Sequence, residues 1–246
     1  LRPPAIEYAS GVVALDGTPT KDMWEAAIGK RLNHREVLQP DERAEYIRDA
    51  LNLNLVRTSE YVKSYNSDDY VNSESDGALL NQLVDEYDQS PGVITTRTAV
   101  EEYTADGLLE IDSETGIVSD GPAERVKWYG DVLGSNEFKE KRLGAVIGSN
   151  HYGDDYIMRW GAYVGETVTR QTWSEVADRE DTDLTRDELA SESRNPDNPA
   201  KGSDLSYTGV GDEILTHMRE HETLQAAMRF GRDGNGAVVY VLTDTL

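Results

Sequence analysis

Residues 237–242, Ala-Val-Val-Tyr-Val-Leu, form a short and almost wholly apolar run, and such a run next to turn signals reads as a strand covered on both faces. Strands of that kind occur in parallel sheets with helices above and below, so this stretch pulls the chain toward an α/β fold. The residues ahead of it agree. Gln225, Arg229 and Arg232 stand at i, i+4 and i+7, a spacing that shares one side of a helix. Leu224 and Met228 fall on an adjacent face that can anchor the helix to a sheet. Asp233, Gly234, Asn235 and Gly236 supply turn chemistry between helix and strand. The order predicts a β/α arrangement whose charged edge carries three groups able to grip phosphate oxygens.

The rest of the chain supplies further units of the same kind. Strands are expected over residues 11–15, 53–57, 126–129 and 143–147, and a short one opens the stretch Val93-Ile94-Thr95-Thr96, which then runs into a helix. Helices are expected over residues 21–30, 40–50, 78–87 and 156–164. In the second of these Asp41 can cap while Tyr46, Ile47 and Ala50 line one face, and in the fourth Ile157 and Trp160 point inward. Asp212 is expected to cap the helix that carries Ile214, Leu215, Met218, Leu224 and Met228. Residues 108–118 read as a hairpin with Ser113 to Gly116 at its tip, and residues 59–75 as polar surface. Residues 172–205 are acidic with little apolar periodicity, the pattern of an insertion.

Composition narrows the chemistry. There is no cysteine, which removes disulfides and thiol nucleophiles. No run approaches the ~18 apolar residues of a membrane span, and the start lacks a signal-peptide apolar region, so the chain reads as soluble and cytoplasmic. With 47 acidic against 24 basic residues the formal net charge is -23, which opposes binding to a phosphate backbone. Seven lysines stand against seventeen arginines, and the acids are spread through every segment. That distribution resembles proteins of salt-loving archaea, whose surfaces work where molar salt screens charge over ~3 Å. The alternative is an acidic surface for a basic partner. His217 and His221, at i and i+4, could share a metal, but no third ligand is evident, so no metal site is expected.

Gln225-x-x-x-Arg229-x-x-Arg232 resembles motif VI of superfamily-two helicases and translocases, although Met228 and Ala226 stand where that family usually has Gly and often Arg. Asp16-Gly17-Thr18-Pro19 is similar to motif III, with Gly17 in place of Ala, and Val93 to Thr96 resembles motif IV. Gly134 and Asn136, in a polar loop ahead of the strand at 143–147, resemble motif V. Each stretch alone also fits an ordinary turn between strand and helix. Taken in order, they look like the carboxyl-side half of a helicase motor, closest in diction to helicase-like replication proteins of haloarchaeal plasmids and viruses.

The resemblance implies a RecA-like three-layer sandwich with a mostly parallel sheet and the acidic insertion. Residues 1–20 would be the last strand and motif III of a first RecA-like domain, and residues 21–246 a second one. It implies an ATP-dependent DNA helicase that is inactive without an upstream RecA-like domain. No Gly-x-x-x-x-Gly-Lys-Ser/Thr string is present, so ATP and Mg2+ would be held mainly by that other domain. Arg229 and Arg232 would serve as arginine fingers, with Gln225 positioning the triphosphate or water. Gly134 and Asn136 would approach the nucleotide. Thr18, Thr20, Thr95, Thr96 and Asn136 would face DNA, together with the basic cluster Lys139, Lys141 and Arg142. A non-catalytic RecA-like module that binds a replication partner, and an unrelated α/β nucleotide-binding enzyme, remain as alternatives.

The acidity carries an expectation of its own. Because carboxylates repel one another when unscreened, thermal melts should move to lower temperature as salt is withdrawn. A fully cooperative melt in low-salt buffer, unshifted from that in molar salt, would contradict the reading.

Overall fold

The computed structural model describes residues 4–6, 8–171 and 206–246. Five parallel strands form the central sheet in the order β1-β7-β6-β2-β5: β1 (Leu53–Arg57), β7 (Ala237–Leu242), β6 (Leu143–Ile147), β2 (Gly92–Thr95) and β5 (Arg125–Trp128). The apolar runs sit where their hydropathy requires, with every residue of β2 and β6 buried. Register is fixed by Leu53 against Ala237, Leu143 against Val238, and Gly92 against both Gly144 and Arg125. A small antiparallel pair, β3 (Glu110–Ile111) and β4 (Val118–Asp120), makes the expected hairpin.

Alternation along the strands divides the core into two layers. On one face Val93, Leu143, Ala145, Ile147 and Leu242 meet α3 (Ser73–Tyr87) through Leu80 and Leu83, and α4 (Arg97–Ala105) through Ala99 and Tyr103. On the other, Ile94, Val146, Val239 and Val241 meet Ile47 and the Ala226–Ala227 pair. Ile47 belongs to a π-helical turn (Tyr46–Ala50) that continues α2 (Pro40–Glu45). The result is an α/β three-layer sandwich of the RecA-like kind. A third apolar cluster joins α1 (Lys21–Ile28), α5 (Asp154–Val164) and α6 (Gly211–Thr216) through Met23, Ile157, Ile214 and Met218, with Trp160 partly buried against it. After α6 comes a π-helical turn (His217–His221) and then α7 (Glu222–Ala227).

The chain's two phenylalanines meet at the amino end of the sheet. Phe138 and Phe230 have ring centroids 5.1 Å apart, and both are buried. They fit because the strands beneath lack side chains: a Cβ on Gly144 would lie 2.7 Å from the Phe230 ring, and one on Gly92 2.8 Å from Phe138. Phe138 thereby anchors the loop between β5 and β6, and Phe230 the turn between α7 and β7.

Several sequence expectations need correction. Residues 11–15 form no strand; Val13 and Leu15 are 86% and 88% exposed, because no strand of the sheet runs alongside them to complete their hydrogen bonds. Helix α7 stops at Ala227, so Arg229 and Arg232 lie in the following turn rather than on one helical face with Gln225. The cause is Phe230, which must turn inward, and Gly231, whose φ of 60° breaks the helix. Of Tyr46, Ile47 and Ala50 only Ile47 is buried, since the π-helical turn changes the angular spacing. The Asp212 carboxylate accepts from Tyr207 N at 2.7 Å, capping the turn before α6 instead of the helix itself. Within 59–75, Val62 and Tyr65 are buried rather than at the surface. The acidic stretch 172–205 lies outside the described residues. Among the described residues no helix is long and apolar enough to cross a membrane.

Gly144→Ala is expected to lower stability by about 1–3 kcal/mol through overpacking, and Phe230→Ala by about 3–5 kcal/mol through the cavity it leaves. Equilibrium denaturation of both variants checks this; a neutral Gly144→Ala would show that the ring has room to move.

Candidate functional site

Helix α7 and the turn after it form one wall of a cleft of about 450 Å³ at the amino end of β1, where Leu53 lies. The opposite wall is the segment around Asp16 and Thr18, far away in sequence. A latch holds the walls together: Gln225 Nε2 donates to Thr18 Oγ1 at 2.6 Å. Thr18 is only 2% exposed, its N–H donates to Asp16 Oδ1 at 3.0 Å, and Asp16 Oδ2 accepts from Trp24 Nε1 at 2.8 Å. A second tie joins Thr20 Oγ1 to His217 Nδ1 at 2.9 Å. Thr18 and Thr20 thus sit against the α6–α7 helical arm rather than at the carboxyl edge of a strand, because residues 11–15 do not join the sheet. The two segments that resemble motifs III and VI are nonetheless in contact, 207 residues apart along the chain.

Charge gives the cleft its chemistry. Arg48, Arg57, Arg97, Arg125, Arg142 and Arg170 each face a carboxylate. Arg229 and Arg232, both lining the cleft, form no ion pair among the described residues. Burial, and after it the neighbouring charge of Arg232, pushes the Arg229 guanidinium below its ordinary pKa. Two neighbouring guanidiniums without a carboxylate partner among the described residues attract an anion locally, against the field of a chain of net charge -23. Glu222, Gln225 and Arg229, from successive turns, also line a narrow groove against Tyr129 and Leu133.

The remaining sequence candidates divide. Gly134 has φ 76° with open space around it, and Asn136 and Lys139 are exposed beside it in the loop between β5 and β6. Lys139 pairs with Glu140 at 3.4 Å, Lys141 pairs with Glu124, and Arg142 forms a two-pronged pair with Asp233. Arg142 Nη1 also donates to Gly236 O at 3.0 Å, so this residue fastens the turn that precedes β7. Thr95 and Thr96 are buried: Thr95 Oγ1 donates to Ile147 O at 2.8 Å, and Thr96 Oγ1 caps α4 by accepting from Ala99 N at 3.2 Å. Their hydroxyls are committed inside the fold.

In open parallel sheets the crevice at a topological switch point, here beyond the carboxyl ends of β2 and β6, is the usual ligand position. In this chain it is filled. The Tyr129 hydroxyl donates to Gly148 O at 2.6 Å, and a Cβ on Gly148 would strike the Tyr65 ring. The Tyr65 and Tyr103 hydroxyls and Lys63 Nζ all donate to the fully buried Asp76 carboxylate, at 2.8, 2.7 and 3.1 Å. Beside this plug sits a group that sequence reasoning missed. Glu222 Oε2 accepts from Asn150 Nδ2 at 2.5 Å and Tyr152 hydroxyl at 3.1 Å, and burial raises its pKa. The readable signal was the polar run Asn150-His151-Tyr152 directly after the buried strand β6. Among the described residues no group of three or more potential ligands could hold a metal ion, and His217 and His221 simply stack edge to face at 5.5 Å.

Comparisons of the chain with family models, with characterised proteins and with solved structures return no match.

A carboxyl whose folded pKa exceeds its unfolded one stabilises the fold where it is protonated, and that contribution is lost as pH rises through the folded pKa. For Glu222 the loss begins above its ordinary value of 4.5. Glu222→Gln keeps the oxygen that Asn150 and Tyr152 address but cannot ionise. It should therefore melt with wild type below about pH 4 and at higher temperature than wild type at pH 8. Identical melts at pH 8 would remove the burial argument for this residue.

Proposed function

We propose that this chain is the nucleotide-closing half of a cytoplasmic ATP-dependent DNA helicase or translocase, acting on ATP held mainly by another RecA-like domain. The observation that supports it most is the pair Arg229 and Arg232, two cations without carboxylate partners among the described residues, in a cleft latched by Gln225 and Thr18. Transfer of the γ-phosphoryl group to water spreads negative charge over its equatorial oxygens, and fixed guanidiniums beside them lower that barrier. Burial of Phe230 fixes the backbone beside Arg229, which sets where its side chain starts at the cleft. Gln225 gives its N–H to Thr18, which leaves its Oε1 able to accept a hydrogen bond from the attacking water. The Thr18 latch would then pass the nucleotide state to the segment before α1, and closing and reopening of the cleft would be the stroke. Mg2+ supplies charge neutralisation on the phosphates and belongs to the domain that cradles them, since this sequence has no phosphate-cradling string. Asn136 and Lys139 are the exposed candidates for contact with a DNA backbone.

A second reading has its own support. Lys141 and Arg142 are neutralised by Glu124 and Asp233, which leaves little free positive charge for a strand and favours a RecA-like module that binds a replication partner without moving DNA. One substitution separates them. In the full-length protein Arg232→Ala should still bind ATP and DNA but lose turnover by a factor on the order of 10³ or more, and Arg232→Lys should recover little because the planar fork is gone. Unchanged turnover in Arg232→Ala, or no turnover in the wild type, would leave the binding module standing.

A further inference from the structure

A separate cleft of about 530 Å³ opens at the other edge of the sheet, between α4, the β3–β4 hairpin and the outer strand β5. None of its lining residues belongs to the arginine cleft. Its walls are apolar: Val100 from α4, Ile111 from β3, Val126 and the Trp128 indole from β5. The volume falls within the range of small-molecule sites, and the mixture of apolar wall with a few charged groups is what such sites present.

The charges at its rim determine which ligand fits. Lys127, 8% exposed, places Nζ 2.7 Å from Asp131 Oδ2, so that pair cancels. Arg97 and Glu101 cancel in the same way, with Nε to Oε1 at 2.9 Å. Asp112 remains. Its Oδ1 takes three bonds, from Glu114 N at 3.0 Å, Thr115 N at 2.8 Å and Thr115 Oγ1 at 2.9 Å. Those bonds, the one from Thr115 N first, hold the carboxyl below its ordinary pKa, so it is ionised at neutral pH. They also fix its position, while Oδ2 carries no bond among the described residues. One ionised, preorganised carboxylate oxygen thus shares the cleft with the Trp128 indole, the best kind of aromatic partner for a cation. The surrounding field of a chain with net charge -23 adds to the preference for positive charge.

We propose that this cleft binds a small organic ammonium compound: an apolar, planar body against Val100, Ile111, Val126 and Trp128, with its ammonium on Asp112 Oδ2 and near the indole. This site is independent of the arginine cleft and of the activity proposed for it.

The test uses two probes with the same ring, 2-phenylethylammonium and neutral 2-phenylethanol, titrated into the 15N-labelled protein in the salt that keeps it folded. The Trp128 indole N–H resonance, assigned by its loss in Trp128→Phe, is followed among those of the four tryptophans. The ammonium probe should shift the Trp128 signal saturably and bind at least about tenfold more tightly than the alcohol, as a hydrogen bond to a charged group requires. Asp112→Asn keeps the oxygen that caps the hairpin tip and should bring the two probes within about twofold of each other. Arg229→Ala should bind both probes as wild type does. The proposal is overturned if Trp128 shows no saturable shift, if all four indoles move alike, or if the ammonium advantage survives in Asp112→Asn.

Discussion

The contact of Phe230 with Phe138 over two bare glycines is the constraint from which the candidate site follows. Because Gly92 and Gly144 expose backbone on that face, two aromatic rings can lie on the amino end of the sheet. Each ring belongs to a connecting segment, and burying it fixes that segment at the scale of several kcal/mol. The turn from α7 to β7 must therefore leave the helix at Met228, pass inward at Phe230 and come back out at Gly231. Arg229 and Arg232, on either side of that inward excursion, are pushed toward the cleft. Arg142 completes the arrangement by gripping Asp233 and Gly236 O from the neighbouring segment. The cationic edge is thus a by-product of packing before it is anything else, and its place at the cleft is what a phosphate-binding role would exploit.

Electrostatics separates groups that sequence alone treats alike. Lys141 and Arg142 read as the densest basic cluster, yet both are matched to carboxylates and fasten loops together. Arg229 and Arg232 read as phosphate-gripping groups on one side of a helix, and among the described residues they have no carboxylate partner. Among the described residues Arg31, Arg35, Arg43 and Arg159 also form no ion pair, so what sets Arg229 and Arg232 apart is that both line one cleft, with Arg229 partly buried there. The same reasoning picks out Asp112, which among the described residues lining the second cleft is the carboxylate without a cation partner.

Much of the fold was legible. The bounds expected for β1 and β6 match those observed, β5 begins one residue earlier than expected, and the hairpin and the helix after Thr96 stand where turn chemistry put them. These elements are set by local hydropathy and by caps, which a sequence displays. Residues 11–15 have the same local signature, but a strand also needs a neighbour, and nothing within five residues reveals whether one exists. The end of α7 was missed because the need to bury Phe230 on glycines more than 80 residues away is a tertiary demand. For the site, Thr18 and Gln225, singled out from distant parts of the sequence, are in contact. The buried hydroxyls of Thr95 and Thr96 and the buried carboxyl of Glu222 were invisible, since burial of a polar group depends on what covers it.

Arg229 and Arg232 are the proposed anion-binding pair. Following the arginine Nε–H resonances while inorganic triphosphate is titrated into the protein tests this most directly, with Arg142 as an internal control already engaged by Asp233. The account expects the Arg229 and Arg232 signals to shift together and saturably while Arg142 stays in place. A uniform drift of all arginine signals with ionic strength, or saturation at Arg142 alone, would contradict it.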